Sequence, residues 1–240
     1  MMIRKLDMPL NTKEVVDFEG ICPICDTEVI FTSDNDWYRD HLICPICRSL
    51  PRHRAFFHVL TQNFPEYRKM RIHESSPIDY IAKAMFEDCI GYSASHFWTN
   101  LPLGSWNGNL TCQDIERMTF PDGFFDLFVT MDVMEHLLNP VRALREIKRV
   151  LKPGGAYIFT VPIFDRTKSI LRAYRRNGQI CHVLPPDYHG NPIGNGALVT
   201  WEWGQDIADH LGPLERFNIK NEKIGVIGEM TDVLIIRKYI

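Results

Sequence analysis

Two identical Cys-Pro-Ile-Cys segments constrain the fold of this chain more tightly than any other feature. They supply Cys22 and Cys25 and, after 18 intervening residues, Cys44 and Cys47. Two residues between thiolates let one tight turn direct both sulfurs at a single ion, and two such turns complete the tetrahedral sulfur shell that suits zinc. We therefore predict a zinc-ribbon-like module over about residues 18–60. Its zinc ion is expected to be structural, because four thiolates leave no open coordination position. A redox pair or chance spacing is the alternative interpretation.

The composition is that of an ordinary globular protein. The chain has 240 residues, is 45% hydrophobic, and carries a formal net charge of -3. This length accommodates one large domain with a small module. The acidic balance argues against a nucleic-acid partner without excluding one. No apolar run approaches the ~20 residues that cross a bilayer, and no signal-peptide pattern is visible, so we expect a cytoplasmic protein that has no membrane partner.

The segments around the cysteine pairs suggest how the module continues. The residues between the pairs, DTEVIFTSDNDWYRDHLI, favour a short hairpin with polar turns. A basic cluster follows the second pair and comprises Arg48, Arg52, His53 and Arg54. It is interpreted as a solvated helix start that packs the module onto the next domain, with an anion or nucleic-acid patch as the alternative. We place the module in an N-terminal segment of residues 1–68.

From residue 69 onwards, strand-like and helix-like stretches alternate, which favours a parallel sheet with crossover helices. The predicted strands are MRIHE, CIGYSA, LTCQD, Asp126 to Thr130, AYIFTVP, FNIK and DVLIIRKY. Ser76 and Pro77 suggest the capped start of a first helix, and Asn139-Pro140 opens a second that ends near Gly154. TWEWGQDIADHL is predicted to be a third helix. Residues 69–240 thus form an α/β domain.

The stretch from Thr111 to Pro162 resembles class I S-adenosylmethionine-dependent methyltransferases, with a type 11-like methyltransferase domain. The matching features are an acid after a short strand, the FDLFVTMDVMEH strand and turn, the NPVRALREIKRVLKPGG helix and exit, and a strand ending in TVP. The zinc module, HVLPPDYHGNP and TWEWGQDIADHL further resemble bacterial methyltransferases associated with surface-polysaccharide biosynthesis. The resemblance implies a Rossmann-like sheet of seven strands, mostly parallel, with the last strand antiparallel.

The resemblance also implies S-adenosylmethionine as cofactor and assigns residues to its adenosine half. Asp114 and the backbone N–H of Ile115 match the family's contacts to the adenine edge, while Thr130 and Met131 would line the ribose and methionine side. The family's second strand usually ends in an acid that binds the ribose hydroxyls. This sequence has Ser93 and Ser95 in that region, and their hydroxyls are the candidate substitutes, with Ser93 assigned to the cofactor site.

The first-strand turn departs from the family pattern because it contains no glycine. It consists of Glu74, Ser75 and Ser76, followed by Pro77. Glycine lets a backbone approach a pyrophosphate in dinucleotide folds, whereas S-adenosylmethionine has no phosphate. We expect Glu74 to contact the ammonium group of the cofactor, and the helix start after Ser76 to offer N–H groups to its carboxylate.

Methyl transfer to a hydroxyl benefits from a general base, for which histidine or a carboxylate is the usual choice. We predict His189 as this base, with His136 and Asp132 as further catalytic candidates. Alternatively, His136 stabilises its loop, or Asp132, Glu135 and His136 hold a divalent cation. His182 and Tyr188 belong to the same loop as His189.

The predicted function is O-methylation of a small acceptor, such as a sugar or a nucleotide-sugar. The basic stretch from Arg166 to Arg176 either faces a phosphate of that acceptor or forms a solvated amphipathic helix. Two other functions compete with this one. The first is an RNA methyltransferase whose zinc module touches RNA, and the second is a degenerate methyltransferase fold that only binds.

Overall fold

The computed structural model describes residues 16–33, 37–191, 194–227 and 231–239. The N-terminal part contains two strands and two helices: β1 (Val16–Cys22), β2 (Thr27–Ser33), α1 (Tyr38–His41) and α2 (Pro51–Asn63). β1 and β2 form an antiparallel hairpin. Among the described segments, no helix is long and apolar enough to cross a lipid bilayer.

Of the hairpin predicted between the two cysteine pairs, the structure shows an isolated antiparallel bridge between Thr32 and Ile43, and residues 34–36 lie outside the described residues. β2 lies in that segment, but its partner is β1, which precedes the first cysteine pair. The first pair forms the hairpin turn itself, where the Asp26 N–H donates to the Cys22 carbonyl at 2.9 Å. Asp26 takes a φ of 50°, which an aspartate tolerates better than most residues do. The first cysteine pair therefore ends β1 and leads the chain into β2, its partner in the same ladder.

The middle of the chain supplies most of the central sheet. It contains β3 (Arg71–Ser75), α3 (Asp79–Phe86), β4 (Gly91–His96), β5 (Trp106–Asn107), β6 (Leu110–Cys112), β7 (Phe125–Met131), α4 (Pro140–Val150) and β8 (Leu151–Thr160). α4 begins as predicted: the Asn139 side chain accepts the Arg142 N–H at 2.9 Å, and Pro140 occupies the first turn. Its buried face is Ala143, Leu144, Ile147 and Val150.

Three short ladders and a final helix–strand unit follow β8. They contain β9 (Ile170–Leu171), β10 (Ala173–Arg176), β11 (Gln179–His182), β12 (Tyr188–Asn191), β13 (Gly194–Leu198), β14 (Trp201–Glu202), α5 (Ile207–Leu211), β15 (Glu215–Asn218) and β16 (Asp232–Arg237). β10 pairs with β11, β12 with β13, and β9 with β14, all antiparallel.

Two helix predictions in this region are wrong. The stretch from Arg166 to Arg176 forms strands, because Asn177 and Gly178 take φ values of 51° and 81° and turn the chain into a hairpin. Asn-Gly is a strong signal for such a turn. In TWEWGQDIADHL only the last five residues are helical. Trp201 and Trp203 stack at 5.0 Å, as residues two apart do on one face of an extended chain.

The strand order of the large sheet is β15-β16-β8-β7-β3-β4-β6-β5. β6, β4, β3, β7 and β8 run parallel, while β16 is antiparallel to both β8 and β15. This confirms the predicted mostly parallel sheet with an antiparallel last strand. β5 adds a short eighth strand, antiparallel to β6 at the edge.

The N-terminal module and the central sheet share one hydrophobic core. Phe31 and Leu42 of the module belong to the same buried cluster as Phe56 and Leu60 of α2 and Val129 of β7. Burying a leucine or phenylalanine stabilises a fold by roughly 1.5–3 kcal/mol relative to exposure. A second core, on α4, α5 and the opposite face of the sheet, is centred on Phe128, Ile147, Phe159 and Trp203.

Candidate active site at the carboxyl edge of the sheet

Several predicted site residues meet where the parallel strands end. The chain places β4 and β6 on one side of β3, and β7 and β8 on the other, so its order reverses between β3 and β7. Ser75 lies opposite Ser95 of β4 and Thr130 of β7. Ligands of open α/β sheets bind outside the carboxyl ends of the strands at such a reversal. The structure therefore brings the ends of β3, β4 and β7 together.

The turn after β3 has an unusual backbone. Ser76 takes a φ of 61°, in the left-handed region that glycine favours, and its N–H donates to the Ser95 carbonyl at 2.7 Å. The predicted serine cap is wrong, because α3 begins at Asp79 with Ile78 as N-cap and no side-chain cap. A left-handed residue other than glycine costs roughly 1–2 kcal/mol. The turn thus keeps a glycine-like conformation without a glycine.

Glu74 is a fully buried carboxyl group. It is 0% exposed, and its Oε2 accepts the Tyr92 hydroxyl at 2.7 Å. Its Oε1 has no hydrogen-bond partner in the part of the chain that the structure describes. Burial raises the pKa of Glu74 to about 7. Glu74, the predicted cofactor contact, is therefore a buried carboxyl group whose Oε1 accepts no hydrogen bond from the described residues.

The predicted ribose contact, Ser93, already has a partner that the sequence analysis overlooked. His73 of β3 lies with Nδ1 at 2.9 Å from the Ser93 hydroxyl and Nε2 at 2.9 Å from the Ser95 hydroxyl. Burial lowers the pKa of His73 to about 3, so the ring is neutral. His96, the last residue of β4, is 3% exposed.

The predicted adenine and methionine residues differ in accessibility. Asp114 is half-buried, and its Oδ1 accepts the Glu116 N–H at 2.9 Å, while Ile115 is 6% exposed. The Thr130 hydroxyl lies 2.6 Å from the Tyr157 hydroxyl inside the core. Met131 remains half-buried at the strand end.

Asp132 is held by two arginines of the N-terminal module. Arg39 Nη2 lies at 2.6 Å, Arg52 Nε at 2.9 Å, and the Thr160 hydroxyl donates at 2.9 Å. Burial opposes ionisation, but the two guanidinium groups outweigh it and hold the pKa of Asp132 well below its usual range. An anion stabilised in this way is a weak proton acceptor.

Glu135 and His136 follow on a short 3₁₀ turn. Glu135 is 3% exposed, and its Oε2 has no hydrogen-bond partner among the described residues. Burial, with a smaller contribution from the charge of Asp132, raises the pKa of Glu135 to about 8. His136 Nδ1 lies 3.0 Å from the Leu198 carbonyl, so a neutral ring carries its proton there and presents a lone pair on Nε2. Burial lowers the pKa of His136.

His189 approaches His136 from the β12–β13 hairpin. The two rings lie 5.8 Å apart, and His189 Nε2 is 3.9 Å from Asp187. A small cavity beside them is lined by Glu135, His189, Trp201, Glu202, Asp187, Pro162, Phe164 and Val199. Thr200 links the segment after β13 to the 3₁₀ turn of Glu135 and His136, because its hydroxyl donates to the Glu135 and Leu137 carbonyls at 3.0 and 2.7 Å. The structure thus brings two predicted catalytic histidines together. His182 and Tyr188 lie exposed on β11 and β12.

The four predicted metal ligands form one cluster. The sulfurs of Cys22, Cys25, Cys44 and Cys47 all lie within 4.8 Å of one another. Cys22 and Cys47 are 3.5 Å apart, and Cys25 and Cys44 are 3.8 Å apart. A tetrahedral ion with Zn–S bonds of about 2.3 Å requires sulfur–sulfur edges of about 3.8 Å. The donor set and its spacing therefore suit one tetrahedral ion.

The basic cluster after the second cysteine pair faces mainly inwards. His53 and Arg54 are 0% exposed, and Arg52 contacts Asp132, which leaves only Arg48 exposed. Arg54 donates to the carbonyls of Ile224 and Gly225 at 2.7 and 2.6 Å. The expected packing role is confirmed, whereas the expected solvation is wrong for His53 and Arg54. Little of this cluster is available to a nucleic acid.

The strand order, its reversal beside β3 and the antiparallel seventh strand define a Rossmann-like methyltransferase fold. More particularly, the middle of the chain is similar to a methyltransferase family. Residues 84–159 match the family described as "Methyltransferase domain". The matched residues run from the end of α3 to β8 and include Asp114, Asp132 and His136.

This chain is similar in sequence to two curated enzymes and in fold to one solved structure. The ubiquinone biosynthesis O-methyltransferase of Coxiella burnetii is 37% identical over 83 residues, which are 35% of this chain and 35% of that protein. The ubiquinone/menaquinone biosynthesis C-methyltransferase of Vibrio vulnificus is 34% identical over 73 residues, which are 29% of this chain and 26% of that protein. The matched part therefore spans about a third or less of these relatives. An S-adenosylmethionine dependent methyltransferase from Mesorhizobium loti is 13% identical, with a TM-score of 0.46, over 76% of this chain and 97% of its own.

Proposed function

We propose that this chain is an S-adenosylmethionine-dependent methyltransferase that methylates a hydroxyl group of a small acceptor. The observation that carries the proposal is the pair His136–His189 beside a cavity at the carboxyl edge of a methyltransferase-type sheet. The matched methyltransferase domain supports the same class of reaction.

The cofactor is proposed to lie across the ends of β3, β6 and β7. Asp114 and the Ile115 N–H would bind the adenine edge, and the turn of Ser75 and Ser76 would face the methionine part together with Thr130 and Met131. Glu74 Oε1 and Ser93 are the remaining proposed contacts. S-adenosylmethionine, when bound, supplies a methyl group that its sulfonium already activates, so the protein mainly needs to orient donor and acceptor.

The acceptor hydroxyl is proposed to enter the cavity beside Glu135. A neutral His136, whose Nε2 lies 3.9 Å from Glu135 Oε1, suits proton removal, and His189 completes the site from the opposite hairpin. We assign Asp132 a positioning role, since its carboxylate is already bound by Arg39 and Arg52. Of the three candidate catalytic residues, His136 and His189 would therefore transfer the proton, and Asp132 would hold the turn in position.

A sugar or nucleotide-sugar is the acceptor class that we propose to test first. Trp201 offers an aromatic wall and Asp187 a carboxylate acceptor, whereas both oxygens of Glu202 are already bound by Arg166 and Arg172. Arg175 and Arg176 are exposed on the β10–β11 side and suit a phosphate. The names of the curated relatives suggest a substrate of ubiquinone biosynthesis as the competing acceptor.

The four-cysteine cluster is proposed to hold a structural zinc ion. Cys22, Cys25, Cys44 and Cys47 would provide all four ligands, and the ion would contribute stability to the module, not reactivity. The zinc content of the purified protein, measured by elemental analysis, checks this assignment directly.

Calorimetry with S-adenosylmethionine tests cofactor binding. We expect Asp114→Ala to weaken binding about tenfold, which is the order expected for losing one charged hydrogen bond. The matched control is Asp88→Ala, which removes an exposed acid. If the zinc-loaded wild-type protein shows no heat of binding, the enzyme proposal fails and a purely binding role for the fold replaces it.

A transfer assay with methyl-labelled cofactor then tests the acceptor. We expect label in the product with nucleotide-sugars, and at least a hundredfold loss in both His136→Ala and His189→Ala. Transfer to a hydroxyl-bearing substrate of ubiquinone biosynthesis and not to nucleotide-sugars would refute the sugar class while keeping the reaction type. Salt-sensitive binding of RNA, together with label in RNA, would favour the RNA methyltransferase instead.

A further inference from the structure

Two arginines flank the second cysteine pair symmetrically in sequence. Arg39 on α1 precedes Cys44 by five residues, and Arg52 on α2 follows Cys47 by five residues. Their side chains are 3% and 15% exposed. Backbone bonds fold the pair tightly between them: the Arg48 N–H donates to the Cys44 carbonyl at 3.0 Å, and the Cys44 N–H donates to the Ser49 carbonyl at 2.9 Å. The positions of both guanidinium groups therefore depend on how this cysteine pair is held.

Both guanidinium groups converge on one carboxylate outside the module. Arg39 forms a bidentate pair with Asp132, in which Nη2 donates to Oδ1 at 2.6 Å and Nη1 donates to Oδ2 at 3.0 Å. Arg52 Nε adds a contact at 2.9 Å, and Arg52 also contacts Asp40 of α1. Two cations and two anions thus close a charge-balanced network. Such bidentate pairs fix geometry as well as charge.

Asp132 is the first residue beyond β7, where the acceptor-side turn begins. Its φ is 55°, in the left-handed region that an aspartate tolerates better than most residues do, and its N–H and carboxylate are bonded to the Thr160 carbonyl and hydroxyl at 3.1 and 2.9 Å. Glu135 and His136 follow three and four residues later. Contacts from the module therefore hold the residue that sets the direction of the proposed catalytic turn.

We infer that Arg39 and Arg52 are positioning residues for the turn of residues 131–137, and that metal binding by the four cysteines is coupled through them to the carboxyl edge of the sheet. This inference rests on the proposed function only where it concerns cofactor affinity. The coupling has a physical basis, because an unpaired, largely buried charge is strongly destabilising when its partner is removed or displaced. The zinc module would then help to position the candidate active site and would not be an independent structural unit.

Amide hydrogen exchange of the full-length, metal-loaded protein tests the coupling. We expect Arg39→Met and Arg52→Met to speed exchange of peptides covering residues 131–137 at least tenfold, and to weaken S-adenosylmethionine binding by about the same factor. The matched control is Arg48→Met, an exposed arginine of the same cysteine turn. Removing the metal from the wild-type protein with a chelator should speed exchange of the same peptides. It should add little in Arg39→Met, because the link is already broken.

The outcomes separate this inference from the proposed function. Exchange of residues 131–137 that is equal in Arg39→Met, Arg52→Met and Arg48→Met would overturn the inference. If an arginine variant does not fold, Asp132→Asn cuts the same link from the sheet side while keeping the shape of the side chain, and unchanged exchange there would overturn it equally. A wild-type protein that binds no S-adenosylmethionine would refute the proposed enzyme, yet the exchange data would still decide the coupling.

Discussion

Glu74 is expected to make the stability of this protein fall as pH rises through the neutral range. Its carboxyl is 0% exposed, and burial raises its pKa from 4.5 to about 7. Between these two values the folded chain binds a proton that the unfolded chain has lost, so the free energy of unfolding decreases with pH. Each unit of pKa difference corresponds to about 1.4 kcal/mol. From pH 5.5 to 8.5 only about 1.5 units of this window are crossed, which predicts a loss of about 2 kcal/mol.

Urea unfolding of the wild-type protein and Glu74→Gln at pH 5.5, 7.0 and 8.5 measures this loss. The amide keeps the shape of the carboxyl and its bond to Tyr92 but does not ionise, so the variant should gain about 2 kcal/mol relative to the wild type between pH 5.5 and 8.5. Other titrating groups cancel in the difference. Glu28→Gln, at an exposed position of β2, should show no such gain. Parallel pH profiles for wild type and Glu74→Gln would refute the argument that this carboxyl is buried and proton-binding.

Three further perturbations probe the metal cluster, a helix start and the core. Cys44→Ser should lower the bound zinc from one ion per chain to none in elemental analysis, whereas Cys181→Ser, outside the cluster, should leave it unchanged. Asn139→Ala removes the acceptor for the Arg142 N–H and should cost about 1 kcal/mol in chemical denaturation; an effect below a few tenths would contradict its capping role. Ile147→Ala, at a 0% exposed position of α4, should cost about 2–5 kcal/mol, and an effect below about 1 kcal/mol would show that this face is not packed as described.

The sequence predicted best those elements whose signals are local and mutually consistent. α4 combines an asparagine cap, a proline in the first turn and apolar residues at helical spacing, and it begins where these signals place it. The C-terminal strand pair was likewise visible from its apolar runs. For the segment from Arg166 to Arg176 a solvated amphipathic helix was one of two expectations, whereas the Asn177-Gly178 turn after it determines a hairpin.

The sequence likewise predicted some residues of the candidate site but not their partners. Asp114 and Ile115 were assigned by family resemblance, and Asp132 and His136 as candidate bases; the topology brings their strands to one edge. The partners of those residues escaped the sequence analysis. No residue near Asp132 in the sequence predicts its contact with Arg39, which lies 93 positions away. A contact between side chains that are distant in sequence depends on the packed arrangement of the elements that carry them.

The sequence by itself determined the chemistry that is available: four thiols at ribbon spacing, a methyltransferase-type strand and turn, and two histidines in suitable stretches. Tertiary structure alone decided how that chemistry is used. Packing α2 and the module against the sheet carries Arg39 and Arg52 to Asp132, and the hairpins after β8 carry His189 to His136. The physical reason is that burial and charge act through space. A side chain becomes an anchor, a buried acid or a neutral base only when the fold sets its neighbours and its access to water.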